Sequence, residues 1–290
     1  MTLPIAKTRN DILLKAISES NESVVYALDA TQLVQESMER LDAWPTAAKH
    51  LGQGMMASLL LQALSEIEDK ETVSLQWMCE GPFGHLYAEA VGYGEARGTI
   101  LRPQAPVDSY ETGLGAGILQ VRRTRNGNTT TGVVRASGDV STDMVEYLEA
   151  SEQRNCGVNF SVIIDWEDEA KTKFHVVSAL AYLIHILPQP TEQKKNEALL
   201  RWDRQMRTLG NMSRWTLRES ELALDMLRLI TGEPEPNVVL TRRVKFFCNC
   251  TEERAVRVLA LLDSPVTGPT EIICEYCGRV YDIDPTRGQS

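Results

Sequence analysis

The chain has 290 residues, a formal net charge of −10 and a pI near 5.1. This acidic balance argues against broad binding to nucleic-acid phosphates, which requires clustered Lys and Arg side chains. With 43% hydrophobic and 24% charged residues, the composition is typical of a globular protein with one large core and a smaller unit.

Three helices are predicted in the first quarter of the chain, at 9–19, 31–43 and 46–67. Thr31 is a suitable N-cap for the second of these helices. Pro45 lies where the third helix begins, and proline is common in the first turn of a helix.

The following stretch has the period-two alternation of β-strands, which begins at Val73-Ser74-Leu75-Gln76-Trp77. Asn126-Gly127-Asn128 is a hairpin signal. Helices interspersed with hairpin-linked strands predict an α+β fold, in which a core domain of mixed helices and antiparallel sheet spans 1–188. The predicted elements are a helix at 141–153 and strands at 73–77, 85–91, 96–101, 117–124, 129–136, 158–165 and 173–187.

Residues 189–236 have a different pattern and are predicted to form a helical linker. Thr216-Leu217-Arg218-Glu219 has the form of a capping box for a helix that ends near Ile230. Before it, four apolar residues share one helical face at spacings of three, four and three: Leu199, Trp202, Met206 and Leu209. Two amphipathic helices packed on the core are the simplest interpretation, and a linker whose packing can be switched is the alternative.

The last unit, 237–290, is predicted to contain a β stretch at 238–247, a helix at 251–262 and a hairpin formed by 271–273 and 280–283. At roughly 50 residues, such a unit is near the size at which a metal ion often completes the stability of a small core.

Four cysteines in this unit form two close pairs, Cys248-Asn249-Cys250 and Cys274-Glu275-Tyr276-Cys277. Two pairs separated by a spacer predict a tetrahedral zinc site with one ion per chain, held by all four thiolates. Gly278 follows at once, where a residue free to adopt positive φ eases a tight turn. The alternatives are two disulfides in an exported protein or four incidental thiols.

Export is not indicated by the sequence. The N-terminal segment 1–16 contains four charged residues and no apolar core of a signal peptide. The longest apolar run, 176–187, is too short to cross a bilayer, which needs about 20 residues. We therefore expect a cytoplasmic protein with no membrane partner. In the cytoplasm thiols stay reduced, and clustered cysteines bind metal or sense redox state.

A site of four thiolates has no open position for a catalytic water, so we expect no enzymatic activity. Neither a P-loop nor G-x-S-x-G is present in the sequence. Cys79 is expected to be a buried small side chain, Cys156 a free thiol and the four histidines structural. Five cations near the ligands in sequence could offset the thiolate charge, or belong to a solvated surface: Arg242, Arg243, Lys245, Arg254 and Arg279.

Several blocks of the chain, together with the cysteine pattern, resemble the 33-kDa heat-shock protein family of redox-regulated holdase chaperones. The C-x-C and C-x-x-C pairs are similar to the signature of that family. The blocks that carry the rest of the resemblance are Glu80-Gly81-Pro82, Ala88, Ala96-Arg97-Gly98, Gly132-Val133-Val134, Gly138-Asp139-Val140, Glu146-Tyr147-Leu148, Ser151-Glu152-Gln153 and the segment 228–250.

The resemblance implies an ATP-independent chaperone that binds unfolded proteins under oxidative stress, after disulfide formation and zinc release. It supports disulfides within the pairs, Cys248–Cys250 and Cys274–Cys277, which their short separations also favour. A homodimer of the oxidised chain is a further expectation. Leu199, Trp202, Met206 and Leu209 are the candidate client-binding residues.

The chain departs from the family pattern at three places. The 23 residues of the spacer, 251–273, are fewer than usual, so switching is expected at milder oxidation. The segment after Cys277 is short, so the family's final helix is expected to be missing or replaced. Ser178-Ala179 replaces a Gly-Gly pair.

Two other functions are consistent with parts of this pattern. The first is a constitutive zinc-ribbon module that contacts a protein or nucleic-acid partner, although the acidic charge counts against nucleic acid. The second is a thiol–disulfide oxidoreductase that uses Cys274 and Cys277.

Overall fold

A computed structural model of the protein describes residues 10–20, 22–65, 71–167, 173–209, 222–259, 261 and 268–284. Its helices are α1 (Thr31–Arg40), α2 (Pro45–Leu64), α3 (Val140–Ala150), α4 (Glu192–Leu209), α5 (Leu222–Thr231) and α6 (Glu252–Leu259). Its strands are β1 (Ile12–Ile17), β2 (Ser23–Asp29), β3 (Thr72–Cys79), β4 (His85–Val91), β5 (Glu95–Ile100), β6 (Gly117–Arg125), β7 (Asn128–Ala136), β8 (Cys156–Trp166), β9 (Phe174–Ile186), β10 (Asn237–Arg243), β11 (Lys245–Phe246), β12 (Thr270–Ile273) and β13 (Val280–Ile283).

The strands form two large sheets and one small hairpin. The first sheet has the order β10-β1-β2-β9-β8, and the second has the order β11-β5-β4-β3-β6-β7. Neighbouring strands are antiparallel except for β11 and β5, which are parallel. Strands β12 and β13 pair with each other. The predicted α+β class with a mainly antiparallel core is confirmed.

Helix α2 lies between the two sheets and is buried along almost its whole length. A helix that is apolar on all sides is stable only where other elements surround it. Two glycines of α2 permit neighbouring side chains to approach the helix backbone closely on each side. A Cβ at Gly52 would lie 2.8 Å from Val34 and 3.3 Å from Val162, and one at Gly54 would lie 3.2 Å from Leu86.

The predicted helix at 9–19 is wrong, because residues 12–17 form strand β1. This strand lies between β2 and β10, and both of its faces are covered. Leu13 contributes to the main core, whereas Leu14 and Ala16 contribute to the second apolar cluster. A strand buried on both faces has a continuous apolar run, which periodicity alone does not distinguish from a helix. Its partner β2 was missed altogether.

Most other predicted elements are confirmed within one to three residues at their ends. The Asn126-Gly127 signal is also confirmed: the two residues connect β6 and β7, with φ of 48° and 79°. Positive φ at both central positions is the requirement of a type I′ hairpin turn.

The predicted β stretch at 238–247 is divided into two strands that belong to different sheets. Strand β10 pairs with β1 in the first sheet, and β11 pairs with β5 in the second. Between them Val244 is buried, and its N–H donates to the carbonyl of Asp11. The chain therefore crosses from one sheet to the other immediately before Cys248.

Helices α4 and α5 cover the face of the first sheet that points away from α2. They form a second apolar cluster with that sheet, whose buried members are Leu14, Ala16, Val25, Ala27, Leu180, Tyr182, Ile184, Ile186, Ala198, Leu222, Ala223, Met226, Leu227 and Ile230. The predicted packing of the linker helices on the core is therefore observed for their described residues. The capping box at 216–219 lies outside the described residues. Among the helices that the structure describes, none has the length and apolar character that a membrane span requires.

Candidate metal centre

The four cysteines of the two close pairs meet at one point. Cys248 and Cys250 follow β11, and Cys274 and Cys277 lie in the turn between β12 and β13. The four sulfurs are all within 4.8 Å of one another. Across the two pairs, the sulfurs of Cys248 and Cys274 are 3.6 Å apart and those of Cys250 and Cys277 are 3.4 Å apart.

The turn that carries the second pair is closed by backbone hydrogen bonds. The N–H of Cys274 donates to the carbonyl of Arg279, and the N–H of Gly278 donates back to the carbonyl of Cys274, both at 2.9 Å. Gly278 has φ of 67°, as the sequence predicted. A Cβ at this position would lie 2.5 Å from the carbonyl oxygen of Arg40 at the end of α1. Glycine therefore permits both the turn and its contact with the core.

The sulfur positions fit a tetrahedral zinc ion. Zinc–sulfur bonds of about 2.3 Å at tetrahedral angles place neighbouring sulfurs roughly 3.8 Å apart, close to the 3.4 and 3.6 Å found across the pairs. A donor set of four sulfurs is typical of structural zinc and leaves no position for a substrate or water. The arrangement can therefore hold a metal ion without offering it for catalysis.

Three of the clustered thiols, those of Cys250, Cys274 and Cys277, differ in pKa. Burial would raise the pKa of Cys250, but hydrogen bonds from Tyr281 and from the other thiols lower it to about 7. Burial raises the pKa of Cys277 to about 12 and also raises the pKa of Cys274. Four thiolates this close repel one another, which disfavours ionisation of all four in the metal-free site. A bound metal ion would offset this repulsion and favour all four thiolates.

Two side chains that touch the sulfurs were missed from the sequence. The hydroxyl of Tyr281 donates to Cys250 at 3.1 Å, and Nη1 of Arg97 donates to Cys248 at 3.6 Å. Tyr281 lies on β13, four residues after Cys277, so its proximity in sequence was an available signal. Arg97 lies on β5, more than a hundred residues away, and its place in a family-like block was the only signal.

Four of the five cations named from the sequence have partners that differ in kind. Arg254 donates to the backbone and side-chain oxygens of Asn249, at 3.1 and 2.5 Å. Arg279 is hydrogen-bonded to Tyr281. Lys245 pairs with Glu95 at 2.9 Å, and the guanidinium of Arg242 lies 5.3 Å from the centre of the Tyr93 ring. Arg254 thus reaches the cluster through Asn249, whereas Arg279 lies close enough to Cys250 and Cys277 for a direct electrostatic interaction.

The candidate client-binding residues lie elsewhere, on the linker. Leu199 and Trp202 are half-buried against the second apolar cluster, and a Cβ at Gly157 would lie 2.2 Å from the indole ring of Trp202. The side chains of Met206 and Leu209 lie outside the described part of the chain. Leu199 and Trp202 therefore pack on the first sheet, whereas the first cysteine pair follows β11 of the second sheet.

The remaining cysteines are buried within strands, as expected for Cys79. Burial raises the pKa of Cys79 to about 11 and that of Cys156 to about 12. Their thiols are therefore protonated and poorly reactive at neutral pH. His50 is also buried and stacks on Tyr110, with ring centres 4.0 Å apart.

Comparison with known proteins agrees with this geometry. The profile of the Hsp33 protein family matches residues 11–284. A 33 kDa chaperonin of Bacillus velezensis is 28% identical over 292 residues, covering 93% of this chain and 94% of that protein. The 33 kDa chaperonin of Bacillus subtilis is 27% identical with the same coverage.

A solved structure has the same fold. The crystal structure of the 33 kDa chaperonin (heat shock protein 33 homolog) from Thermotoga maritima matches with a TM-score of 0.81, covers 96% of each chain and is 22% identical in sequence. Because the family profile extends over nearly all of the sequence, this chain belongs to the Hsp33 family.

Proposed function

We propose that this protein is a redox-regulated, ATP-independent holdase chaperone that binds unfolded proteins under oxidative stress. The observation that carries the proposal is the cluster of four thiols at the end of a chain segment that pairs with both core sheets. Family membership and the name 33 kDa chaperonin of the relatives support the chaperone part. The function proposed is binding, not catalysis.

In the reduced state, one zinc ion would be held by Cys248, Cys250, Cys274 and Cys277. When bound, it supplies a cross-link between the segment after β11 and the β12–β13 hairpin. Apparent binding free energies of structural zinc in small peptides are about 10–16 kcal/mol. Whole domains are stable by about 5–15 kcal/mol, so loss of the cross-link is sufficient to unfold the small module.

Oxidation removes the ligands. One hydrogen peroxide molecule accepts two electrons from a pair of thiolates: an S–S bond forms, the O–O bond breaks, and two protons complete two water molecules. Two peroxides convert all four thiolates. Disulfide sulfurs are neutral and poor ligands, so the cross-link is lost. The proposed pairs are Cys248–Cys250 and Cys274–Cys277; peptide mapping distinguishes them from links across the pairs, whose sulfurs are also close.

The order of the chain connects the module to the linker. Helix α5 leads directly into β10, which pairs with β1, and then into β11, which pairs with β5. Unfolding of the module removes the anchor at the end of β11, and further loss of β10 releases α5 from the sheet. The apolar face under α4 and α5 then becomes accessible, and exposed apolar surfaces of this kind bind partially unfolded proteins.

The proposal divides the chain into three parts. Residues 1–188 form the core that presents the apolar surface, 189–236 form the linker that covers it, and 237–290 form the redox-sensitive unit. The partners are unfolded or aggregation-prone proteins, the oxidised chain forms a homodimer, and the place of action is the cytoplasm. Neither nucleic acid nor membrane is a proposed partner.

An aggregation assay tests the function. A chemically unfolded client is diluted into reduced, zinc-loaded protein or into peroxide-treated protein, and light scattering is followed without ATP. We expect the oxidised protein alone to suppress aggregation of the client. Reduction in the presence of zinc should abolish this activity. Suppression by neither form, despite complete zinc release, would reject the chaperone function.

A constitutive zinc module is the second candidate. It is favoured by Ile273 and Val280, an apolar cross-strand pair of the β12–β13 hairpin that is 61% and 50% exposed. If the reduced protein binds a partner through this hairpin and loses that binding on oxidation, the constitutive zinc module replaces the chaperone as the proposed function.

A further inference from the structure

The Ala96-Arg97-Gly98 block places a largely buried arginine and a closely packed glycine on opposite faces of β5. Gly98 faces α2: a Cβ at this position would lie 2.8 Å from Leu51 and 3.2 Å from Met55. Arg97 therefore points to the outer face of the second sheet, because adjacent residues of a strand alternate. Its side chain is 15% exposed, and a charge buried to this extent requires fixed partners.

The first partner of Arg97 belongs to the core. Nε of Arg97 donates to Oε1 of Glu89 at 2.6 Å, and these two residues are direct cross-strand neighbours on β5 and β4. The hydroxyl of Tyr87 donates to the other carboxylate oxygen of Glu89 at 2.7 Å. The orientation of the guanidinium is thus set by the sheet and does not depend on the cysteines.

The other partners of Arg97 belong to both cysteine pairs. Its Nη1 donates to Oδ1 of Asn249 at 3.0 Å and to Sγ of Cys248 at 3.6 Å. The guanidinium carbon also lies 4.2 Å from the centre of the Tyr276 ring. Asn249 lies between the first two ligands and Tyr276 between the last two, so a single core side chain contacts both ligand-bearing turns.

Asn249 extends this contact into the module. Its Oδ1 also accepts from Arg254 of α6 at 2.5 Å. The Tyr276 ring in turn meets Tyr87 of the core edge to face, with ring centres 6.0 Å apart. The contacts therefore join β4 and β5 of the sheet to both ligand-bearing turns and to α6.

We infer that Arg97 is a positioning residue that clamps the cysteine turns to the core sheet and stabilises their metal-loaded, four-thiolate state. Four thiolates around a zinc ion carry a formal charge of −2, which a fixed guanidinium favours through a charge-assisted hydrogen bond. A disulfide at Cys248 has no such charge, so the contact weakens when the thiolates are oxidised. Oxidation would thus release the module from the sheet as well as the metal from its ligands.

This inference rests on the zinc site of the proposed function but not on chaperone activity. The two can fail separately: a wild-type protein that suppresses no aggregation would leave the contact of Arg97 with the metal site intact. Conversely, an Arg97 variant with normal zinc binding would leave the chaperone proposal intact.

Chelator competition on the full-length reduced protein tests the inference, with zinc affinity as the readout. Arg97→Gln alone would leave the buried carboxylate of Glu89 without its cation, so the informative variant is Arg97→Gln with Glu89→Gln. We expect its zinc dissociation constant to rise on the order of tenfold, since charge-assisted hydrogen bonds are the stronger class. The matched control is Arg135→Gln, a loss of an exposed cation on β7 at the opposite edge of the same sheet.

Hydrogen exchange supplies the second readout. The N–H of Phe247 donates to the carbonyl of Ala96 at 3.1 Å, so its exchange reports the attachment of the first cysteine pair to β5. We expect faster exchange at 245–250 in the double variant and unchanged exchange in β3. A purely structural role of the ion pair in the sheet would instead change β3 and leave zinc affinity unaltered.

Arg97→Lys carries the test if the double variant does not fold. It keeps the charge beside Glu89 but loses the planar fork that reaches both turns, and we expect roughly a threefold loss of zinc affinity on that ground. Zinc affinity within twofold of wild type, together with unchanged exchange at 245–250, would overturn the inference in either variant.

Discussion

Helices α2 and α6 are stabilised in opposite ways. In α2, apolar residues on every side are buried between two sheets. In α6, Ala255 is buried, whereas Val256 and Val258 are 46% and 54% exposed. The core region is therefore held together by burial of apolar side chains, which oxidants do not change. Under the proposed function, the module is instead held together by four sulfurs, which oxidants convert to disulfides. The proposed function accordingly predicts that oxidation of the cysteines unfolds the module and spares the core.

Removal of one ligand should produce the largest difference between the two regions. In Cys274→Ser we expect loss of zinc and of protection at 245–259 and 268–284, because most of the roughly 10–16 kcal/mol of metal binding is lost. Protection of α2 should persist. Zinc analysis and hydrogen exchange check this, with Cys156→Ala, a cysteine outside the cluster, as control. Full zinc content in Cys274→Ser would contradict the assigned ligands.

A cavity in the core should give the reverse result. Leu60 is completely buried, so Leu60→Ala should cost about 2–5 kcal/mol of unfolding free energy. Zinc affinity should stay at the wild-type value, because the four sulfurs are untouched. Calorimetry and chelator competition measure the two quantities. Leu101→Ala, at a position that is 56% exposed, serves as control, and a parallel loss of zinc affinity in Leu60→Ala would show that the regions are not independent.

A charge under the linker should separate α4 from the core without oxidant. Trp202→Glu places a carboxylate against the apolar sheet, at a cost of roughly 1–3 kcal/mol. We expect faster exchange in α4, client binding by the reduced protein and unchanged zinc content. Leu200→Glu is the matched control, because the neighbouring Leu200 is 67% exposed. Equal behaviour of the two variants would remove Trp202 from the switch.

The smallest expected effect is a pH dependence of the core. Burial lowers the pKa of His50 from 6.5, so the unfolded chain binds the proton more readily than the folded one. Stability conferred by the neutral ring is therefore fully present above about pH 6.5 and declines below it, by at most about 1.4 kcal/mol per pH unit. Denaturant unfolding of the wild type and of His50→Gln between pH 5 and 8 measures how the free energy of unfolding of each protein depends on pH. The same pH dependence in both proteins would contradict the prediction.

The sequence predicted the α+β class and the candidate ligands because both depend on local patterns. Alternation, a hairpin dipeptide and two cysteine pairs are readable without tertiary information. Strand β1 was mistaken for a helix because its apolar run is buried on both faces. The division of 238–247 between two sheets and the contact of Arg97 with Cys248 also depend on long-range packing, for which a single sequence contains no direct signal.

Hydrogen exchange of the wild-type protein before and after peroxide treatment tests the central claim most directly. The claim is that oxidation of the four cysteines uncovers the apolar face of the first sheet while the core around α2 stays folded. We predict loss of protection at 245–259, at 268–284 and in α4 and α5, with protection of α2 and β3 unchanged. Full protection of α4 and α5 in zinc-free, oxidised protein, or a uniform loss that includes α2, would contradict it.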